Sequence, residues 1–181
     1  MSMDLSFSGS CERDLIKSKM WLCDNLPRKS WKQIYVLGSW YGNMGLILRW
    51  SGIDFDRITN IDSDPRYCQH TQMIYKLAKF DRPYRIVNDD CNKVKLDDAD
   101  LVINTSTNDI RTHEWFRHIL PGTTVAIQCR NNQPISSSMD RPTTFREFLN
   151  LIPLRTVLMS DRIALSNTDE DYDRYMTIGR K

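Results

Sequence analysis

The chain has 181 residues, and its 25 Lys and Arg residues exceed its 23 Asp and Glu residues by a formal charge of +2. This length predicts a single domain with a sizeable core, and a charge so near neutral gives no electrostatic argument for nucleic acid or a membrane surface as partner. The five cysteines are scattered and include no C-x-x-C pair, which argues against a disulfide scaffold and a zinc site and favours a cytoplasmic protein.

The start of the chain is predicted to be flexible. Residues 1–10 are mostly small or polar, and they lack the basic and apolar regions of a secretory signal. Residues 11–181 are predicted to form the single domain. No apolar run in it approaches the ~18 residues of a membrane-spanning helix, so no membrane partner is expected.

Helices and strands alternate along this domain. Apolar residues at helical spacing predict helices over about 11–26, 42–51, 63–80, 112–120 and 143–149. Short apolar runs predict strands over 34–37, 57–62, 84–88, 99–104, 123–128, 155–158 (extendable to 164) and 175–179. Five strands separated by helices predict a doubly wound, mostly parallel α/β sheet with helices on both faces. The last two strands predict an antiparallel C-terminal pair at one edge, which completes a seven-stranded sheet.

A glycine-rich turn follows the first predicted strand. Gly38, Gly42 and Gly45 lie within the sequence Gly-Ser-Trp-Tyr-Gly-Asn-Met-Gly. Such clustering indicates either positive φ angles or a ligand that approaches the backbone closely. The free N–H groups at the start of the next helix would point at that ligand, so the turn predicts a cofactor site.

Acidic residues follow the next two predicted strands, at the sheet edge where ligands of such folds bind. Asp62, after the second strand, is placed to accept the ribose hydroxyls of a nucleoside, or alternatively to cap the following helix. Of Asp89 and Asp90, one carboxylate can accept the amino hydrogen of adenine while the other serves the turn. Trp40 and Tyr41 either line the same pocket or pack in the core.

The spacing of the glycines favours S-adenosylmethionine (SAM) over NAD. Dinucleotide-binding turns have the pattern G-x-G-x-x-G, whose second glycine lets the backbone approach a pyrophosphate. Here the pattern is G-x-x-x-G-x-x-G, and Trp40 occupies the position of that second glycine. A cofactor without phosphates does not need this approach, and SAM carries a ribose and an adenine for the acids.

The chain resembles class I SAM-dependent methyltransferases over about residues 30–181. The similar segments are 36–45, 60–62, 88–90 and 101–104. More narrowly, it resembles short, single-domain, often phage-encoded members of that class, through Gly-x-Trp-Tyr-Gly at 38–42, Asn-Thr-Ser at 104–106 and the tail 172–180. The resemblance implies a Rossmann-like methyltransferase fold, SAM as cofactor and, for a phage protein, the host cytoplasm as location.

SAM is expected to contact the turn and the acids that follow it. The predicted cofactor-binding residues are Gly38, Ser39, Trp40, Tyr41, Gly42, Gly45, Asp62, Ser63, Asp89, Asp90 and Asn104.

Three departures from the family leave the acceptor open. Leu37 lies where an acid usually precedes the turn, residues 107–109 are Thr-Asn-Asp where relatives have Cys-Glu-His, and the Asn-Pro-Pro-aromatic motif of amino-group methyltransferases is absent.

The predicted catalytic residues follow the fourth strand. Because the sulfonium of SAM is already a good leaving group, a methyltransferase contributes mainly alignment, and a base where the acceptor must lose a proton. Asn104 is predicted to orient the acceptor through its amide, and Ser106 and Asn108 are predicted to line its pocket. Asp109 is the predicted base, and His113, one helical turn later, is its competitor.

The sequence leaves the acceptor and several alternatives open. The acceptor is a small molecule, a nucleic acid or a protein, and Arg130 is a candidate to hold an acidic or phosphate-bearing one. The alternatives to methyl transfer are cleavage of SAM or transfer of its aminocarboxypropyl group, an NAD(P)-dependent oxidoreductase, and a binding module without catalysis. No oligomeric state is predicted.

Overall fold

The computed structural model describes residues 13–110, 112–131, 142–166 and 171–181, so the predicted flexible start lies outside the described residues. In these parts of the chain, helices α1 to α4 are Arg13–Asn25, Asn43–Trp50, Pro65–Leu77 and Phe145–Asn150. Strands β1 to β7 are Trp31–Leu37, Phe55–Asp62, Tyr84–Asn88, Leu101–Asn104, Thr124–Arg130, Thr156–Ser166 and Asp171–Arg180. No helix among the described residues is long and apolar enough to cross a membrane.

The strands form one sheet in the order β3-β2-β1-β4-β5-β7-β6. Strands β1 to β5 run parallel, and β7 runs antiparallel to both β5 and β6. The predicted mostly parallel, seven-stranded sheet with an antiparallel C-terminal pair is therefore confirmed. The strand order reverses between β1 and β4, and open α/β sheets bind their ligands in the crevice beside such a reversal.

Apolar side chains cover both faces of the sheet. On one face, Leu22 of α1 and Leu48 of α2 belong to a buried cluster that includes Trp31 of β1. On the other face, Trp115 and Phe148 belong to a second buried cluster. β4 is buried along its whole length. This is what its run of consecutive apolar residues indicates, because a central parallel strand is covered on both faces.

Two stretches between the parallel strands hold no α-helix, and a helix was predicted in only one of them. The stretch 89–100, between β3 and β4, forms turns without a helix. Aspartate and asparagine side chains favour turns because they bind nearby backbone N–H groups, and here Asp90 Oδ1 accepts the N–H of Asn92 at 3.0 Å. The predicted helix 112–120 is only a short 3-10 helix, Glu114–His118.

The C-terminal strands are longer than their apolar cores. β7 begins at Asp171, ahead of the predicted start at residue 175, because Asp171 still pairs with Ser166 of β6. The polar residues at its start pair with residues of the neighbouring strands β5 and β6. Such pairing between strands cannot be recognised from the spacing of apolar residues. One consequence is that Arg174 lies inside the sheet, opposite Arg130 of β5.

Candidate functional site

A cavity of about 370 Å³ lies at the carboxyl ends of β1 to β4. The lining includes eight of the predicted site residues, namely Gly38, Trp40, Asp62, Ser63, Asp89, Asp90, Ser106 and Asp109. Gly38 follows β1 and Ser106 follows β4, so the cavity opens beside the reversal of strand order. Its volume falls within the range of about 300–1,000 Å³ that is typical of small-molecule sites.

The end of β1 and the loop after β4 approach each other very closely. Gly38 has a φ of +57°, and a Cβ added to it would lie 2.9 Å from Cβ of Ser106. The Ser106 hydroxyl donates to the Gly38 carbonyl at 2.9 Å. Glycine is needed here for both its left-handed backbone and its missing side chain, and the contact forms one wall of the cavity.

Trp40 also has a left-handed backbone, with a φ of +50°. This conformation is unfavourable for a bulky residue, and neighbouring groups hold it in place. The Trp40 N–H donates to Asp62 Oδ2 at 2.8 Å, and its carbonyl accepts from the Thr71 hydroxyl at 2.9 Å. Its ring stacks on that of Tyr67 at 5.0 Å and lines the cavity. Tyr41 instead packs against Tyr67 and His70 and is not among the lining residues.

Asp62 is buried, and each of its carboxylate oxygens accepts one backbone N–H. Oδ2 accepts from Trp40 at 2.8 Å and Oδ1 from Asp64 at 3.0 Å. Burial raises the pKa of this carboxyl above its ordinary value, while the two N–H groups act in the opposite direction. The helix cap of α3 is Asp64, which accepts the N–H of Arg66 at 2.8 Å, so the alternative role of Asp62 as that cap is not observed.

Gly42 and Gly45 face α3 and do not line the cavity. A Cβ on Gly42 would overlap the side chain of Thr71, and a Cβ on Gly45 would overlap the Tyr75 hydroxyl. That hydroxyl donates to the Gly42 carbonyl at 3.0 Å. Cofactor binding by these two glycines stays a prediction, and close packing of α3 already accounts for their missing side chains. Ser39 is buried, and its N–H donates to Ile61.

The polar residues after β4 mostly bind the backbone around them. Asn104 Oδ1 accepts the N–H of Ser106 at 3.0 Å, and no described residue accepts from its buried Nδ2. Asn108 donates from Nδ2 to the carbonyl of Arg130 at 2.9 Å and accepts the N–H of Arg130 at 3.0 Å. The role of Asn108 in the acceptor pocket stays a prediction, and both ends of its amide join the loop to the end of β5.

Replacing Asn108 tests this structural role. Asn108→Ala should lower the free energy of unfolding by about 1–3 kcal/mol, because it leaves the N–H and carbonyl of Arg130 without partners at a partly buried position. Asn108→Asp, which keeps the acceptor oxygen, should lose less. Chemical denaturation measures both variants, and a variant of unchanged stability that no longer binds SAM would return Asn108 to the binding site.

The two candidate bases lie in different surroundings. Asp109 is exposed and lines the cavity, and no described residue donates a hydrogen bond to its carboxylate. His113 precedes the 3-10 helix and is not among the lining residues. Burial lowers the pKa of His113, and no described residue bonds its Nδ1. The helical turn predicted to join the two residues is absent, because the helix begins only at Glu114.

Several lining residues were not predicted as site residues. They are Ile61, Asp64, Tyr67, Cys91, Asn92 and Ile110. Tyr67 lies in the first turn of α3, and its proximity to the strand ends follows from the sequence once that helix start is recognised. Cys91 and Asn92 reach the cavity only because the segment after β3 turns back, which no periodicity indicates.

The cavity is strongly acidic. Asp62, Asp64, Asp89, Asp90 and Asp109 line it, and its lining includes no Lys or Arg. Only Asp64 of these forms an ion pair among the described residues, with Arg66 at 2.6 Å. The described His, Cys, Asp and Glu side chains form no cluster that could hold a metal ion. The arrangement therefore favours an organic ligand that carries positive charge and repels one that carries phosphates.

No family model matches the sequence, and no curated protein matches it. Several solved structures match it in fold. A methyltransferase in complex with a Haloferax volcanii methyltransferase activator is 16% identical with a TM-score of 0.68, over 95% of this chain and 91% of that one. An rRNA methylase from Streptococcus thermophilus is 11% identical with a TM-score of 0.60, over 93% and 97%. The N-methyltransferase NodS from Bradyrhizobium japonicum is 13% identical with a TM-score of 0.59, over 96% and 99%. The chain has the Rossmann-like fold of class I SAM-dependent methyltransferases.

Proposed function

We propose that the protein is a SAM-dependent methyltransferase that binds SAM in the acidic cavity. One observation carries the proposal, namely five aspartates and no Lys or Arg lining a cavity beside the reversal of strand order. A pyrophosphate would meet repulsion from these carboxylates, whereas the sulfonium and ammonium groups of SAM are attracted to them. The fold similarity to methyltransferases of different acceptors supports the same class of reaction.

The residues fit the parts of SAM as follows. Each Asp62 oxygen accepts one N–H and retains capacity for another hydrogen, as a ribose hydroxyl requires. Asp89 is more exposed than Asp90, and its Oδ1 accepts one hydrogen bond, from the Asp90 N–H, whereas Asp90 Oδ1 accepts two from Asn92, so Asp89 is the better partner for the adenine amino group. The rings of Trp40 and Tyr67 supply flat apolar surface at the same cavity.

The chemistry required of the chain is modest. SAM supplies an activated methyl group on a good leaving group, so the protein aligns the acceptor and holds a base for those acceptors that lose a proton. We assign the base to Asp109, because its carboxylate lines the cavity and no described residue donates to it. The loop after β4 would position the acceptor, because Ser106 and Asp109 of this loop line the cavity.

Calorimetry with SAM, S-adenosylhomocysteine and NAD tests the proposal. SAM and its demethylated product are expected to bind, and NAD is not. Binding of NAD without SAM would favour an oxidoreductase and contradict the proposal. Product analysis after incubation with SAM alone separates methyl transfer from the SAM-cleaving alternative, because only a cleaving enzyme consumes SAM without an acceptor.

A charge variant tests the electrostatic argument directly. Asp109→Asn should weaken binding of SAM by roughly 0.5–1 kcal/mol more than binding of S-adenosylhomocysteine, because only SAM carries the sulfonium charge and exposed charge pairs contribute about this much. Asp56→Asn, the same change at an exposed position near the start of β2, should leave both affinities unchanged. Equal losses for the two ligands of Asp109→Asn would show that its charge does not act on the sulfonium.

A further inference from the structure

Arg174 is a buried cation without a carboxylate partner among the described residues. Only 4% of the residue is exposed, and its Nη2 donates to the carbonyl of Thr105 at 2.6 Å. No described residue accepts from its Nε. Burial lowers the pKa of Arg174 to about 10, which leaves it charged at neutral pH. A buried charge is costly unless it is paired, so the position calls for an anion.

A second arginine lies directly opposite. In the antiparallel pairing of β5 with β7, Arg130 is the partner of Arg174, which places both side chains on the same face of the sheet. Like charges directly opposite each other destabilise a sheet. Neither arginine belongs to any ion pair found among residues 13–110, 112–131, 142–166 and 171–181. The fold therefore brings two cations together at a site where no described acid forms an ion pair with either of them.

This arginine pair shares a wall with the acidic cavity. Arg174 binds the carbonyl of Thr105, and the next residue, Ser106, lines the cavity. The backbone of Arg130 is held by Asn108, and the next residue, Asp109, also lines the cavity. The loop after β4 thus has the proposed SAM site on one side and the arginine pair on the other. Opposite charges on its two sides would hold a cationic cofactor and an anionic acceptor next to each other.

We infer that Arg130 and Arg174 bind the carboxylate or phosphate group of a small-molecule acceptor. The inference rests on the proposed function and names the substrate class of that site. Guanidinium groups suit oxyanions because their planar N–H groups match the geometry of two oxygens. A small molecule fits better than a nucleic acid, because a backbone phosphate of a polymer cannot reach the guanidinium of a residue that is only 4% exposed.

An approach to the site exists on the same face of β7. Tyr172, two residues before Arg174, lines an open groove between α1 and the hairpin of β6 and β7. Alternate residues of a strand share a face, so Arg174 lies on the same face of β7 as Tyr172. In our proposal a small anion approaches the pair from this groove and does not cross the cavity.

Thermal unfolding with inorganic phosphate and with acetate tests the inference, against sodium chloride at equal ionic strength. Phosphate or acetate should raise the melting temperature in a saturable manner beyond the effect of chloride, because a ligand that binds only the folded state stabilises it. The anion with the lower apparent dissociation constant identifies the group. In Arg174→Met and in Arg130→Met the apparent affinity should fall by at least about tenfold, as expected for loss of a charge-assisted contact.

Three variants, each lacking one arginine charge, test the site. Arg174→Met keeps a similar volume without the charge, and such replacements of buried charges are often neutral or stabilising. Arg130→Met covers the case in which Arg174→Met does not fold. Arg155→Met, an exposed position at the other end of the hairpin, is the matched control and should keep the full anion effect. An anion effect no larger than that of chloride, or one equal in Arg174→Met and Arg155→Met, would overturn the inference.

Calorimetry with SAM on the same preparations distinguishes failure of the arginine site from failure of the proposed function. SAM binding without any specific anion effect would overturn the arginine site and leave the proposed function standing. A specific anion effect that requires Arg174, in a protein that does not bind SAM, would support the anion site and contradict the proposed function.

Discussion

Asp62→Ala is expected to weaken SAM binding by about 1–3 kcal/mol, because ribose hydroxyls would be left without an acceptor in a partly buried site. The same change should also lower the free energy of unfolding by about 1–3 kcal/mol, since the N–H groups of Trp40 and Asp64 lose the carboxylate that now accepts them. Trp40 depends on this bond to keep its left-handed backbone, so the shape of the cavity depends on Asp62 as well.

The two effects of Asp62→Ala are separable. Affinity is measured by calorimetry well below the melting temperature, and stability by chemical denaturation. Thr144→Ala is the matched control, because it removes the N-cap of α4, which is not among the residues that line the cavity, while leaving Asp62 in place. We expect it to cost about 1 kcal/mol of stability, as lost helix caps do, with little change in SAM affinity. Lower stability with unchanged affinity in Asp62→Ala would show that Asp62 serves only the backbone.

Gly45→Ala is expected to destabilise the protein by about 1–3 kcal/mol, the usual cost of forcing extra atoms into a packed core. The added Cβ would overlap the Tyr75 hydroxyl and lie 3.2 Å from Cδ1 of Ile58. Tyr75 is 1% exposed and its hydroxyl binds the Gly42 carbonyl, so it cannot move aside freely. In an open helix the same substitution would stabilise by about 1 kcal/mol, because alanine favours helices over glycine. A more stable Gly45→Ala would contradict the packing seen here.

A double-mutant cycle identifies the contact. Tyr75→Phe removes the hydroxyl, and in that background Gly45→Ala should cost at least about 0.5 kcal/mol less than in the wild type. Additive costs would mean that the hydroxyl is not what excludes the side chain. The folded Gly45→Ala variant should keep its SAM affinity, since Gly45 packs on α3 and is not among the residues that line the cavity.

The sequence by itself determined the class of fold and the region of the site. Periodicity depends on local spacing, so the strand before Gly38, the helix start at Asp64 and the buried run of β4 could be recognised without tertiary information. Parallel strands end at one edge of a sheet, so the residues after them had to gather there. This is why Gly38, Asp62, Asp89 and Asp109 were predicted together and line one cavity.

Only the tertiary structure decided what each side chain does. Gly42 and Gly45 looked like part of a cofactor turn, but Thr71 and Tyr75 of α3 occupy the space beside them. Asn108 looked like a pocket residue, but its amide binds the Arg130 backbone on another strand. The opposition of Arg130 and Arg174 likewise depends on the register of β5 with β7. These roles rest on contacts between residues distant in the chain, whereas the sequence pattern records only the faces and ends of its own elements.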